Sequence, residues 1–168
     1  LSHVANGIYG EMWAAALIAA AFAEPSAEQV VRNSLAHIPP MSRLSHAIGA
    51  VVRLYDTGAG WDDAIEQIST DFGHYLWVHV IPNAAIVAAG LLWGRNDFAT
   101  TVGLTVQAGW DTDSNGATAG SVMGVLLGAA ALPAHLVEPL HDTVRSAVFG
   151  CDRLRISDLA RRTAALVS

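Results

Sequence analysis

The chain has 168 residues, 52% of them hydrophobic and 14% charged, which is enough for one folded domain with a real core and excludes a disordered chain. Its net charge is -6 and its nine basic residues, all arginine, form no basic run, so nucleic acid is not expected as a partner. A single cysteine, Cys151, excludes an internal disulfide framework and a cysteine zinc site.

The opening, LSHVANG, has no signal-peptide pattern, and a cytoplasmic setting is expected. Helical spacing dominates from there. GEMWAAALIAAAFA is alanine-rich and apolar nearly all round, which predicts a buried helix. Pro25 ends it, and Ser26 with Gln29 gives a capping-box pattern for a helix carrying Val30, Val31 and Leu35. IPPM breaks that helix. Leu44, Ile48, Val51, Val52 and Tyr55 then recur at steps of three and four, the mark of an amphipathic helix. DTGAGW reads as a turn. Ile65, Ile68, Phe72 and Leu76 mark the next helix, and Asp62 and Asp63 at its start suit the helix dipole.

Pro82 and Asn83 open a further helix, apolar through Trp93. GRND is a turn, and Phe98 to Ala108 fits a helix or a strand by pattern alone. An acidic loop follows, and then Gly116, Gly120, Gly124 and Gly128 at steps of four. Such a stripe lets another helix approach closely. The apolar run from Ala117 to Leu132 has about sixteen residues against the roughly 20 that a membrane span needs, so a soluble core is expected and no membrane. Pro139 is expected in the first turn of a helix carrying Leu140, Val144 and Val148, and Ser157 as the cap of a last short helix. Trp13, Trp77 and Trp93 are expected in the core, and His74, His79 and Glu66 at its edge or on the surface. These elements predict one all-α domain over residues 1–168, a compact multi-helix bundle with short connections.

The loop GWDTDSNG, from Gly109 to Gly116, admits three readings. As a calcium loop it has acids at positions one and three, Asn at five and Gly at six. Positions nine and twelve are Ala119 and Val122, so half of an EF-hand ligand set is missing. As a helix start, it needs one acid or hydroxyl for capping and has three oxygen groups. As a hard-cation site, Asp111 and Asp113 turn two carboxylates toward one point and Ser114 adds a hydroxyl of the kind magnesium accepts. Glycines at 109 and 116 leave the backbone free to fold tightly.

GWDTDSNGATAGSVMGVLLGA resembles the C-terminal signature of the ADP-ribosylglycohydrolase family, in which Gly-Asp-Thr-Asp-Thr precedes a small-residue helix. HVIPNAAIVAAGLLWGRNDFATTVGLTVQAG resembles the helix, turn and helix that lead into it. LSHVANGIYGEMWAAALIAAA resembles the family's Ser/Thr-His motif and the following helix, and ISDLARRT is similar to the tail of some bacterial members. The resemblance implies an all-α fold with a binuclear magnesium site that hydrolyses the glycosidic bond between ADP-ribose and a protein side chain or related acceptor. It implies Asp111, Asp113 and Ser114 as metal ligands, with the two acids also catalytic. It implies His3, Gly109 and Trp110 as substrate-binding residues. Ser114 stands where threonine is usual, and Trp110 where glycine is commoner. The family's Gly-Asp-Ala-Leu-Gly motif and Thr-Asp-Asp ligands have no counterpart here, so the likeness is to roughly the C-terminal half to two-thirds of a member. The remaining ligands are expected from a segment outside the chain. The competing expectation is a truncated, non-catalytic helical domain that binds a partner or serves structure. A third is a glycohydrolase for a different nucleoside-like substrate, which Trp110 leaves open.

Overall fold

The computed structural model describes residues 3–166 and is all-α, apart from one two-residue strand pair. Its contacts gather into two compact units, Leu1–Ala130 and Ala131–Ser168.

The first unit holds seven helices: α1 (Asn6–Ala21), α2 (Ala27–Ser34), α3 (Arg43–Asp56), α4 (Trp61–Phe72), α5 (Val80–Trp93), α6 (Phe98–Gln107) and α7 (Thr112–Leu127). The ambiguous segment after GRND is therefore a helix, and its start explains why. Asp97 accepts the Thr100 N–H at 2.7 Å, a helix cap that an alternating strand has no use for. Ser26 and Ser42 cap α2 and α3 in the same way, and the Asp63 carboxylate reaches back to the Gly60 N–H at the start of α4.

Helix α5 is the centre. It packs against α1, α2, α3, α4, α6 and α7, and Ile81 to Leu92 are all buried. An unbroken apolar run fits a helix surrounded on every side. Close packing of α5 on α6 depends on Gly90 and Gly94. A Cβ built on Gly90 falls 1.9 Å from the Thr105 hydroxyl, and one on Gly94 falls 2.0 Å from that of Thr101.

Several expectations need correction. Helix α1 buries one face only: Trp13 and Leu17 are covered, while Ile8 and Met12, and Phe22 just past its end, are exposed. Its composition permits burial all round, but its neighbours α2, α3, α5 and α7 cover one side. Leu76 lies past the end of α4, which stops at Phe72 before Gly73, and Leu76 and Trp77 are both exposed, Trp77 at 61%. A step of four continues a pattern on paper only while the backbone stays helical. Leu35 belongs to a 3₁₀ turn after α2, and α5 begins at Val80, two residues before Pro82. Of the glycine stripe on α7, Gly116 and Gly120 face α6, at Val106 and Val102, while a Cβ on Gly124 or Gly128 would meet nothing within 4 Å. Two helices that cross diverge, so a stripe is used only near the crossing. Among the described residues, no helix is long and apolar enough to cross a membrane.

The second unit contains the short helix α8 (Ala134–Val137), strands β1 (Thr143–Val144) and β2 (Leu154–Arg155), and helix α9 (Ile156–Ala164). The strands pair antiparallel, Thr143 with Arg155 and Val144 with Leu154. The helix expected after Pro139 is absent, because His141 and Asp142 take left-handed backbone angles that end the 3₁₀ turn Glu138–Leu140 and start β1. Ser157 is not the cap of α9 either. It lies in the first turn, and its N–H and hydroxyl both donate to Asp142, at 2.9 and 2.7 Å. Arg155 adds a third donor at 2.9 Å, so the Asp142 carboxyl is lowered to about 2, first by Ser157 and then by Arg155.

Candidate active site

Helix α6 hands over to α7 through Ala108–Asp111. Gly109 and Trp110 turn the chain with φ angles of 87° and 57°. Glycine takes such angles freely, whereas for a residue with a Cβ they cost about 1–2 kcal/mol. The Trp110 ring packs against the core, and burial of so large a side chain offsets that cost.

The turn delivers Asp111 to the position just before α7, but its carboxylate makes no capping hydrogen bond to the helix. The helix-cap reading of this acid is thereby overturned. Its backbone does the anchoring instead. The Asp111 N–H donates to Asn83 Oδ1 at 3.1 Å, and the Asp111 carbonyl accepts the Asn115 N–H at 2.9 Å. The Asn115 side chain donates to the same Asn83 oxygen at 2.7 Å. The Asp111 carboxyl lies within hydrogen-bonding reach of Asp113. That neighbour, then the N–H groups of Ser114 and of Asp113 itself, lowers the Asp113 carboxyl below the usual carboxylate range. Two neighbouring carboxylates repel, and a cation bound between them would offset that repulsion.

A cleft of about 260 Å³ opens beside this loop. Asp111, Ser114 and Asn115 line it. Val78, Val80 and Asn83 also line it, as do Gly10, Glu11 and Trp13 of α1 and His3 before it. Two glycines bring these parts together. A Cβ on Gly10 would fall 2.4 Å from Val80, and one on Gly7 would fall 2.8 Å from the Cβ of His3. So α1 meets the start of α5 closely and carries His3 over its first turn. His79 starts α5 by accepting the Ile81 N–H on Nδ1 at 3.2 Å. Burial, and then the charges of Arg43 and His74, lower its pKa and keep that nitrogen an acceptor.

Of the residues singled out from the sequence, His3, Asp111 and Ser114 line the cleft together. Asp113 stands beside Asp111 and is exposed. Gly109 and Trp110 form the turn behind it and do not line the cleft. Ser2, the other half of the Ser-His match, lies outside the described residues. Several cleft residues were not legible as such, among them Glu11, Trp13, Asn83 and Asn115. The signal for Asn83 was its place in an otherwise apolar helix, where a buried amide must find partners. Trp13 is 2% exposed and its indole N–H has no partner. Among the described residues no group of three or more His, Cys, Asp or Glu side chains gathers as a metal site, and Asp111, Asp113 and Ser114 offer two carboxylates and one hydroxyl. These are hard oxygen donors of the kind magnesium takes, fewer than its octahedral shell holds.

Fold and loop together define a family. The chain belongs to the ADP-ribosylglycohydrolase family, whose sequence model matches residues 1–168. No curated protein and no solved structure matches it.

Proposed function

We propose that the chain hydrolyses the glycosidic bond between ADP-ribose and an acceptor, on an ADP-ribosylated protein or a small ADP-ribose-containing substrate, in a magnesium-dependent reaction. The observation that supports this most is that Asp111 lines a cleft with Ser114, has no capping task, and has Asp113 as its neighbour in the first turn of α7. Asp111, Asp113 and Ser114 would hold magnesium. Water, substrate oxygens and groups beyond the described residues would complete the shell. When bound, the metal supplies polarisation of ribose oxygens and a lowered pKa for water.

This chain's own residues have separable tasks. Asp111 lines the cleft and would orient a water for attack on the anomeric carbon. Asp113, held below the usual carboxylate range, stays ionised as the bond breaks through an oxocarbenium-like transition state. His3, which also lines the cleft, would hold the ribose or its acceptor. A second reading, a non-catalytic helical domain that binds a partner, draws on the short count of acidic and histidine groups at the loop.

The test is release of free ADP-ribose from an ADP-ribosylated peptide against magnesium concentration. Turnover that rises with magnesium, stops with a chelator and is absent in Asp113→Asn supports the enzyme. Magnesium-independent turnover, or wild-type turnover by Asp113→Asn, removes it. No turnover by a folded chain that retains ADP-ribose favours the binding domain.

A further inference from the structure

We propose that Asn83 is the positioning residue of this cleft: one buried amide that holds the acidic loop and the α4–α5 connection in a single register. The inference rests on the reading of the acidic loop as the functional one. Asn83 is 9% exposed and uses its whole hydrogen-bonding capacity. Its Oδ1 accepts from the Asp111 N–H at 3.1 Å and the Asn115 amide at 2.7 Å. Its Nδ2 donates to the carbonyls of Trp77 and His79, at 2.7 and 2.9 Å. The amide orientation is fixed by these partners, because two carbonyls face the nitrogen and a backbone N–H faces the oxygen.

The anchor sits where both segments most need one. Gly109 and Trp110 are left-handed just before Asp111, and the Asp111 side chain makes no bond to its own helix. The α4–α5 connection runs exposed through Leu76, Trp77 and Val78. Val78 and Val80 line the same cleft as Asp111 and Ser114. Asn83 is thus bonded directly to both segments. It stands on α5, the most enclosed helix, which serves as the fixed reference. A loosened Asp111 would leave the two carboxyls free to separate.

The experiment compares the chain with Asn83→Ala and Asn83→Asp by amide exchange over residues 74–80 and 108–116, and by Mn²⁺ affinity from electron paramagnetic resonance. Asn83→Asp keeps an acceptor toward Asp111 and Asn115 but replaces two donors that face carbonyls. It should speed exchange over 74–80 about tenfold or more and leave 108–116 within about threefold. Asn83→Ala should speed both and weaken Mn²⁺ binding at least about fivefold, with helix content and exchange over 44–52 of α3 unchanged. Unchanged exchange over 108–116 in Asn83→Ala, or equal acceleration across 44–52, would overturn the proposal. Where Asn83→Ala does not fold, Asn83→Asp decides: equal loosening of both segments overturns it. A wild-type chain that binds no Mn²⁺ removes the metal reading of the loop, and the exchange pattern still decides the role of Asn83.

Discussion

Helices α5 and α7 are both rich in small and apolar residues, yet α5 buries twelve of its 14 residues and α7 four of its 16. Six helices enclose α5, so every position along it is answerable to packing. Helix α7 touches α6 along half of its glycine stripe and keeps its first turn open. The candidate site lies where the two begin. The enclosed helix supplies a fixed amide, Asn83, and the open one supplies acids that are not used up in holding the fold.

Truncation should separate the two helices most strongly. Ile86→Ala, at a fully buried position of α5, should cost about 2–5 kcal/mol in urea unfolding. Leu126→Ala, at a half-buried position of α7, should cost clearly less. Equal costs would break the contrast.

Glycine replacements should sharpen it by sign. Gly90→Ala places a methyl 1.9 Å from the Thr105 hydroxyl, 3.0 Å from its Cβ and 3.4 Å from the Thr101 carbonyl, and should destabilise by about 1–3 kcal/mol. Gly124→Ala meets nothing within 4 Å and should stabilise by about 0.5–1 kcal/mol, the helix preference of alanine over glycine. Thermal melts moving in opposite directions are the expected result.

The smallest effect contrasts two helix starts. Helix α7 takes no side-chain cap from Asp111, while α9 depends on Asp142. The Asp142 carboxyl is lowered from 3.8 to about 2, so its contribution is complete above the ordinary value and is lost as pH falls through the lower one. Exchange of the Ser157 amide should therefore speed up as pH falls from about 5 to about 2 beyond the intrinsic trend, and Asp142→Asn should abolish that extra dependence. No such window in the wild type would remove Asp142 as the anchor of α9.

Much of this was legible in order and spacing. The helices from Ala27 to Trp93 follow from apolar steps and from caps such as Ser26 and Ser42, because those signals are local. Asp111, Asp113 and Ser114 stood out as more oxygen than one cap needs. What could not be read depends on partners far along the chain. Asn83 reaches Asp111 across 28 residues and Asn115 across 32, and neither pairing leaves a periodic trace. The exposed face of α1 and the position of Trp77 failed for a related reason. Apolar composition says what burial permits, and only the packed neighbours say what is covered. The tail after Pro133 misled because left-handed residues at His141 and Asp142 end a helix that the apolar spacing would continue.

The central claim is that Asp111, just before α7, and Asp113, in its first turn, together hold a cation. Calorimetric titration of magnesium into the chain tests it most directly, alongside Asp111→Asn and Asp113→Asn checked for equal helix content by circular dichroism. Two carboxylates and a hydroxyl offer three of about six ligands, so binding in the range of about a millimolar is expected. Either substitution should abolish it, since both acids serve one ion. Magnesium heats unchanged by Asp113→Asn, or no binding by the wild type at several times that concentration, would contradict the account.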